Sequence, residues 1–316
     1  MGTNKDWYAR KFDFLKLKAN SRALCILLVV FLPSLAYSQQ ENLARDLANP
    51  LSDVWSIVNQ INFNKLKGGA LSDPSTQFNW NFQPVMPVPF NGYYHIINRM
   101  VIPYYKTPFG DVGGDLHYIP GIGKANVDTL ASVFFGEIQH ASGIGDIIWA
   151  SLLSPVKKEG IIWGIGATFQ FPTASSARVG SGLWQAGPTA GLFYVSEKFV
   201  AGVFPQHWRS LGGEDLKNPA VNYTNLQYGV SYLPTPELTI MSSANILIDW
   251  TKDEANRWTV PFAIGASYLF HFGKLPVQIG ASYQWVVKHP ADIEHQESIV
   301  RLIVTPVVPS PFAKKE

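Results

Sequence analysis

Cysteine is nearly absent from this 316-residue chain: Cys25 stands alone. One thiol supports neither a disulfide framework nor a cysteine-based zinc site. Charge is scarce too. Only 15% of residues are charged, and 25 Lys+Arg oppose 23 Asp+Glu. A soluble domain usually carries about 25% charged residues. Without basic blocks, nothing points to nucleic acid. No apolar run reaches the roughly 20 residues of a spanning helix. Mean hydropathy is near zero, against a helical membrane bundle. Aromatics at 13%, with 26 Gly and 22 Pro, do not fit disorder.

The first 38 residues read as an address. Lys5, Arg10, Lys11, Lys16, Lys18 and Arg22 oppose only Asp6 and Asp13, and an apolar stretch, Ala23 to Leu32, follows. Ala36 and Ser38 are small residues suited to cleavage before Gln39. This is the pattern of a secretory signal peptide. Its removal would take Cys25 with it and leave 19 basic against 21 acidic residues.

Residues 39–53 form an N-terminal arm; the amphipathic stretch ENLARDLANPLSDVW (41–55) is expected as a short helix or arm that plugs a lumen or lies at its periplasmic rim. From 54 to 316 the recurring signal is alternation, the period of a strand. Twelve runs carry it: 54–64, 76–88, 93–104, 141–154, 160–172, 182–196, 198–209, 221–234, 236–250, 257–271, 273–287 and 296–308. In the tenth, Val260, Phe262, Ile264, Ala266, Tyr268 and Phe270 share a face. The other face is small or polar, Leu269 excepted. In the second run, Phe78, Trp80 and Phe82 alternate with Gln77, Asn79, Asn81 and Gln83.

Runs of ten or more residues exceed the usual globular strand of about 5–6 and suit a tilted membrane crossing. Connections alternate short and long. Pro89–Gly92, Pro155–Gly160, Ser196–Glu197, Thr235 and Phe272 are brief. Lys65–Ser75, Tyr105–His140, Pro172–Ser181, Ser210–Ala220, Thr251–Asn256 and Lys288–His295 are mostly longer. Short periplasmic turns and long outer loops are the habit of outer-membrane barrels. The expected fold is therefore all-β: a closed antiparallel transmembrane barrel of about twelve strands in the bacterial outer membrane, both termini periplasmic. Closure is required because an open edge in lipid leaves backbone groups unpaired.

Candidate residues follow from the two faces. Trp149, Trp163, Trp184, Trp250, Trp258 and Trp285 lie near strand ends, where aromatic girdles form. Arg99 and Arg301 lie mid-strand among apolar residues. A charge facing lipid at mid-depth costs about 2–4 kcal/mol, so both are expected to point inward. Asp146, in GIGD, is the natural acidic partner. These three form either a selectivity constriction or an inward brace. Gln77, Asn79, Asn81, Gln83, Gln185 and Gln278 would line the same lumen.

Enzyme chemistry finds weak support. His140 and Ser142 share a strand-end face, the start of a rim lipase, but no third residue is placed to orient the histidine. No catalytic residue, cofactor or metal site is assigned; His289 and His295 have no third ligand. Pro-Gly-Ile-Gly-Lys (120–124) lacks the pattern of a phosphate loop. A route for hydrophobic compounds would need a lateral opening, for which Pro84, Pro103, Pro188, Pro205 and Pro261 supply kinks.

An ordered set of segments carries a family resemblance: NFQPVMPVP (81–89), INRMVIP (97–103), SGIGDIIWASLLSP (142–155), WGIGATFQFPTAS (163–175), LWQAGPTAG (183–191), AGVFPQHWRSLGG (201–213) and WTVPFAIGASYLFHFGKLPVQIGASY (258–283). It resembles the outer-membrane family named for the MetA pathway of phenol degradation, whose members are labelled transporters or neuromedin U. The resemblance runs from about Asn42 to Pro309. It implies a porin-like barrel passing small or aromatic compounds, with outer-membrane lipids and the barrel-assembly machinery as partners. One departure is the C-terminus, where Phe312 is followed by Ala-Lys-Lys-Glu instead of closing the chain. A structural or adhesive barrel without transport is the alternative.

Overall fold

A computed structural model describes residues 43–68, 74–108, 141–212, 219–291 and 295–312. The leader assigned to 1–38 and most of the Tyr105–His140 loop lie outside the described residues.

After a short helix, α1 (Leu43–Ala48), the chain forms only strands: β1 (Ser56–Lys67), β2 (Ser75–Pro89), β3 (Tyr94–Thr107), β4 (Ala141–Ile144), β5 (Ile147–Pro155), β6 (Gly160–Phe171), β7 (Gln185–Val195), β8 (Phe199–Ser210), β9 (Asn222–Tyr232), β10 (Leu238–Asp249), β11 (Trp258–Phe272), β12 (Leu275–Lys288) and β13 (His295–Pro306). Both β4 and β5 pair with β3, on either side of a break at Gly145–Asp146. They are two halves of one stave, so the thirteen segments make a twelve-stave barrel. Every neighbour is antiparallel. Closure comes from β1 pairing with β13, Asn62 opposite Arg301, while β2 pairs with β3.

The alternation read from the sequence is the radial direction of the barrel. Phe262, Ile264, Tyr268 and Phe270 of β11 are exposed outward, while Ala263, Ser267 and Leu269 are buried inward. Leu269 is thus no exception to the face but part of the interior. On β12, Ile279, Tyr283 and Trp285 are exposed and Gln278 and Gln284 are buried. This is the reverse of a soluble protein, and the solvent is the reason: an outward face meant for hydrocarbon is apolar. Among the described residues no helix is long and apolar enough to cross a membrane.

Short connections (90–93, 156–159, 196–198, 233–237, 273–274) gather at one end, and long ones at the other. The tightest, Gly273–Lys274, needs a left-handed first residue, and Gly273 supplies it at φ +63.

Short gaps open in the β2–β3 and β7–β8 ladders, and two larger irregularities interrupt the wall. The first is the break at Gly145–Asp146. The second lies between β10 and β11. Their ladder runs from Leu238↔Tyr268 to Met241↔Gly265, then resumes only at Leu247↔Thr259. Residues 242–246 and 260–264 are unpaired across this seam, and Pro261 within it has no N–H to give. Tyr228 of β9 reaches over Ala244, which is fully buried beneath it, into the gap. Its hydroxyl donates to the Pro261 carbonyl (3.2 Å) and accepts from the Ala263 amide (3.2 Å). A side chain there substitutes for missing ladder bonds.

Candidate functional site: the plugged lumen

The interior has two halves. Around β3 and β5–β8 it is apolar: Ile97, Leu152, Ile162, Phe193, Val195 and Phe204 are buried inward. Trp208 is buried with them and stacks on Tyr223 at 4.9 Å. These positions fall on the face that alternation gives as small or polar, and none of them stands among the candidate residues. Their signal was present: an inward position filled by a large apolar side chain needs a partner inside the barrel.

That partner is the N-terminal arm. Helix α1 packs against β8 and β10 within the barrel. Leu51, just beyond it, is buried against Phe204 and two glycines. A Cβ at Gly164 would stand 2.9 Å from Leu51 Cδ2, and one at Gly191 3.0 Å from Leu51 Cδ1. Small residues in the wall therefore make the seat for this leucine. Polar contacts fasten the same segment to the β5–β6 turn. Arg45 donates to Glu159 (2.7 Å), and Lys158 pairs with Asp53 and with Asp46 (3.6 Å). The plug thus sits at the short-turn end.

Across the lumen, β1, β2, β12 and β13 present amides. Asn62 donates to Asn79 (2.7 Å), Asn79 to Asn81 (3.0 Å), and Asn64 to Gln77 (3.0 Å). Gln83 is buried, and its Oε1 accepts from Arg99 Nε at 3.2 Å and Nη2 at 2.5 Å. Arg99 also donates to Gln227 (3.4 Å) and lies over the Phe204 ring. Arg301 is buried and donates to Asn62 Oδ1 (2.8 Å). With their amides turned oxygen-inward, Gln60 accepts from Arg301 at 2.9–3.0 Å and Gln284 at 3.2–3.3 Å. Both arginines and Gln278 border one cavity of about 180 Å³ between the plug and the wall.

Asp146 is elsewhere. It occupies the break in the fourth stave, buried, and accepts from Ala174 N (3.0 Å), Ser181 N (2.7 Å), Ser181 Oγ (2.9 Å) and Gln170 (3.4 Å). It ties the β6–β7 loop to the wall. Gln185 joins that cluster through Ser181 Oγ at 2.7 Å. The expected Arg–Asp grouping therefore separates into an arginine–amide cluster and an aspartate–loop cluster. Asp146 lies four positions along the stave from Ala150, the residue opposite Arg99, so depth in the barrel separates it from the arginines; the break beside it was not revealed by the alternation.

Of the tryptophans, Trp163, Trp184, Trp250 and Trp285 are exposed on the outer surface, while Trp149 and Trp258 are half-buried. Trp184, Trp250, Trp258 and Trp285 lie at the long-loop end, Trp163 at the short-turn end and Trp149 in mid-stave. The short-turn end is lined mainly by tyrosine and phenylalanine, such as Tyr194, Phe199, Tyr232 and Phe272. Of the lipase pair, Ser142 is exposed on β4 and His140 lies outside the described residues. The rings of His289 and His295 stack at 3.7 Å, and the described residues contain no group of three metal ligands.

Comparison with solved structures gives the same architecture. An outer membrane channel from Pseudomonas putida F1 matches with a TM-score of 0.53 at 14% identity, covering 86% of this chain and 100% of that one. The NanC porin matches with a TM-score of 0.45 at 10% identity, covering 79% and 99%. Outer membrane phospholipase A from Escherichia coli matches with a TM-score of 0.42 at 10% identity, covering 87% and 100%. At 14% identity the likeness to the Pseudomonas putida channel is one of fold. No family model and no curated protein matches the sequence.

Proposed function

We propose that this chain is a bacterial outer-membrane channel that passes small molecules through its lumen. The observation that carries the reading is the inverted radial pattern: apolar side chains outward over the whole wall, and an amide- and arginine-lined cavity within. In this reading the outer-membrane lipids are the solvent of the wall, the long loops lie outside and the short turns and both termini lie in the periplasm. The barrel-assembly machinery inserts it. The resemblance to the phenol-degradation family and the apolar half of the lumen favour small, partly apolar solutes, aromatic ones included.

Planar-bilayer recording of the refolded chain from Gln39 to Glu316 tests this. Discrete, reproducible current steps are expected. A folded, inserted and silent barrel would overturn transport in favour of a structural or adhesive role.

A further inference from the structure

Among the described residues, Arg99 and Arg301 are the only charged side chains bordering the 180 Å³ cavity. Among the described residues their hydrogen-bond acceptors are amide oxygens, from Gln83 and Gln227 for one and from Asn62, Gln60 and Gln284 for the other. Among the described residues neither has a carboxylate within ion-pairing distance. A brace would look different. Cations that only hold strands together are paired with acids, because an uncompensated buried charge is strongly unfavourable. The chain had an acid to spend, and Asp146 is spent on a loop instead. Two guanidinium groups with neutral partners leave this cavity with two positive charges and none negative.

The rest of the lining says what could neutralise them. Ser231, Thr239, Ser243, Ser267 and Ser282 add hydroxyls that donate to an anion. Val54, Val58, Val85, Phe193, Met241 and Ile303 give the same cavity apolar wall. A volume of this order holds one molecule about the size of benzene. Guanidinium recognises a carboxylate through two parallel hydrogen bonds. From this we infer that Arg99 and Arg301 form a binding site for a small organic carboxylate with an apolar or aromatic body. The carboxylate lies between the arginines, the body against Phe193 and the valines. The site deepens the channel reading: it sits between plug and wall, so a solute crossing the lumen meets it.

The test uses the refolded chain in detergent micelles and in bilayers. Calorimetric titration compares benzoate, its neutral isostere benzamide, and inorganic phosphate. Benzoate is expected to bind at least about tenfold more tightly than either. Arg301→Gln and Arg99→Gln are each expected to weaken benzoate about tenfold and leave benzamide unchanged, with Arg301→Lys retaining part of the binding. In bilayers under a salt gradient, the reversal potential should report anion preference, and R99Q/R301Q should move it towards no preference. Folding of each variant is verified by the faster gel migration of the unheated barrel, and a variant that fails to fold is replaced by its lysine counterpart. Equal binding of benzoate and benzamide, equal binding of phosphate, or a reversal potential that ignores both replacements would overturn the site. A wild-type barrel that binds benzoate selectively yet passes no current would leave the site standing and remove the channel.

Discussion

Asp146 accepts four hydrogen bonds while almost wholly buried, so it holds the β6–β7 loop more firmly than its place in a glycine-rich run suggests. Asp146→Ala strands the Ala174 and Ser181 amides. Each buried group left without a partner costs about 1–3 kcal/mol. The unfolding free energy of the refolded barrel in urea should fall by that order, with ion selectivity unchanged, since Asp146 lies apart from the arginines. Asp146→Asn keeps one acceptor oxygen and should recover part of the loss. Which residue plays which part was only half legible at this scale. That Arg99 and Arg301 belong inside followed from the cost of charge in lipid. Their partners did not follow. Arg301 meets Asn62 across 239 positions of sequence, a contact created by closure of the barrel rather than by local spacing.

Among elements, the seam between β10 and β11 has the longest unpaired stretch of the described ladders, and Tyr228 is its fastening. Tyr228→Phe removes two hydrogen bonds to the β11 backbone, each contributing about 0.5–1.5 kcal/mol. Mass-spectrometric hydrogen exchange should show residues 258–265 exchanging faster in the variant, while β12 and β13 stay as protected as before. No change in that segment would mean the hydroxyl does not hold the seam. The staves themselves were the most legible part of the sequence. All twelve runs correspond to observed strands, with ends shifted by a few residues, because hydrocarbon outside enforces strict alternation. The seam was not legible. Pro261 hinted at it, but Pro84, Pro188 and Pro205 lie in gaps of only two residues and Pro103 stays paired, so proline marks an interruption without giving its length.

At the scale of the molecule, the plug decides how much of the lumen is open. Ion pairs whose outer partner is exposed, as Glu159 and Lys158 are, are screened by solvent and contribute little individually, about 0.2–1 kcal/mol. Together the Arg45–Glu159 and Lys158 pairs fasten the arm at one edge. Lys158→Ala with Glu159→Ala should release about 1 kcal/mol of seating. That shifts the ratio of unseated to seated barrels about fivefold, seen as more frequent large openings in single-channel records. Proton uptake works in the opposite direction. Burial holds the Asp46 carboxyl above its ordinary value near 3.8, with Lys158 and Arg45 only partly offsetting it. A raised value means the seated arm favours the protonated acid. Seating is then firmest in acid and loosens as pH climbs from 3.8 through the raised value. Open probability should rise over that window, and Asp46→Asn should flatten the profile. The sequence signalled an amphipathic arm but left its place open between lumen and rim. The missing information was the apolar patch of Leu152, Ile162, Phe193 and Phe204, which exists only once four staves are side by side.

The pairing of β1 with β13 sets a rule for how the molecule is made. Ser56 bridges Val307, and Trp55 touches Phe312, so the join is between the first and last parts of the barrel chain, roughly 250 residues apart. Contacts this distant in sequence form late, because the chain between them must first be ordered. Until β13 arrives, β1 offers a bare edge of twelve residues to any other strand. Loss of the final stave would therefore produce not a smaller pore but an open, sticky sheet, and the twelve residues of β13 decide which of the two the cell receives.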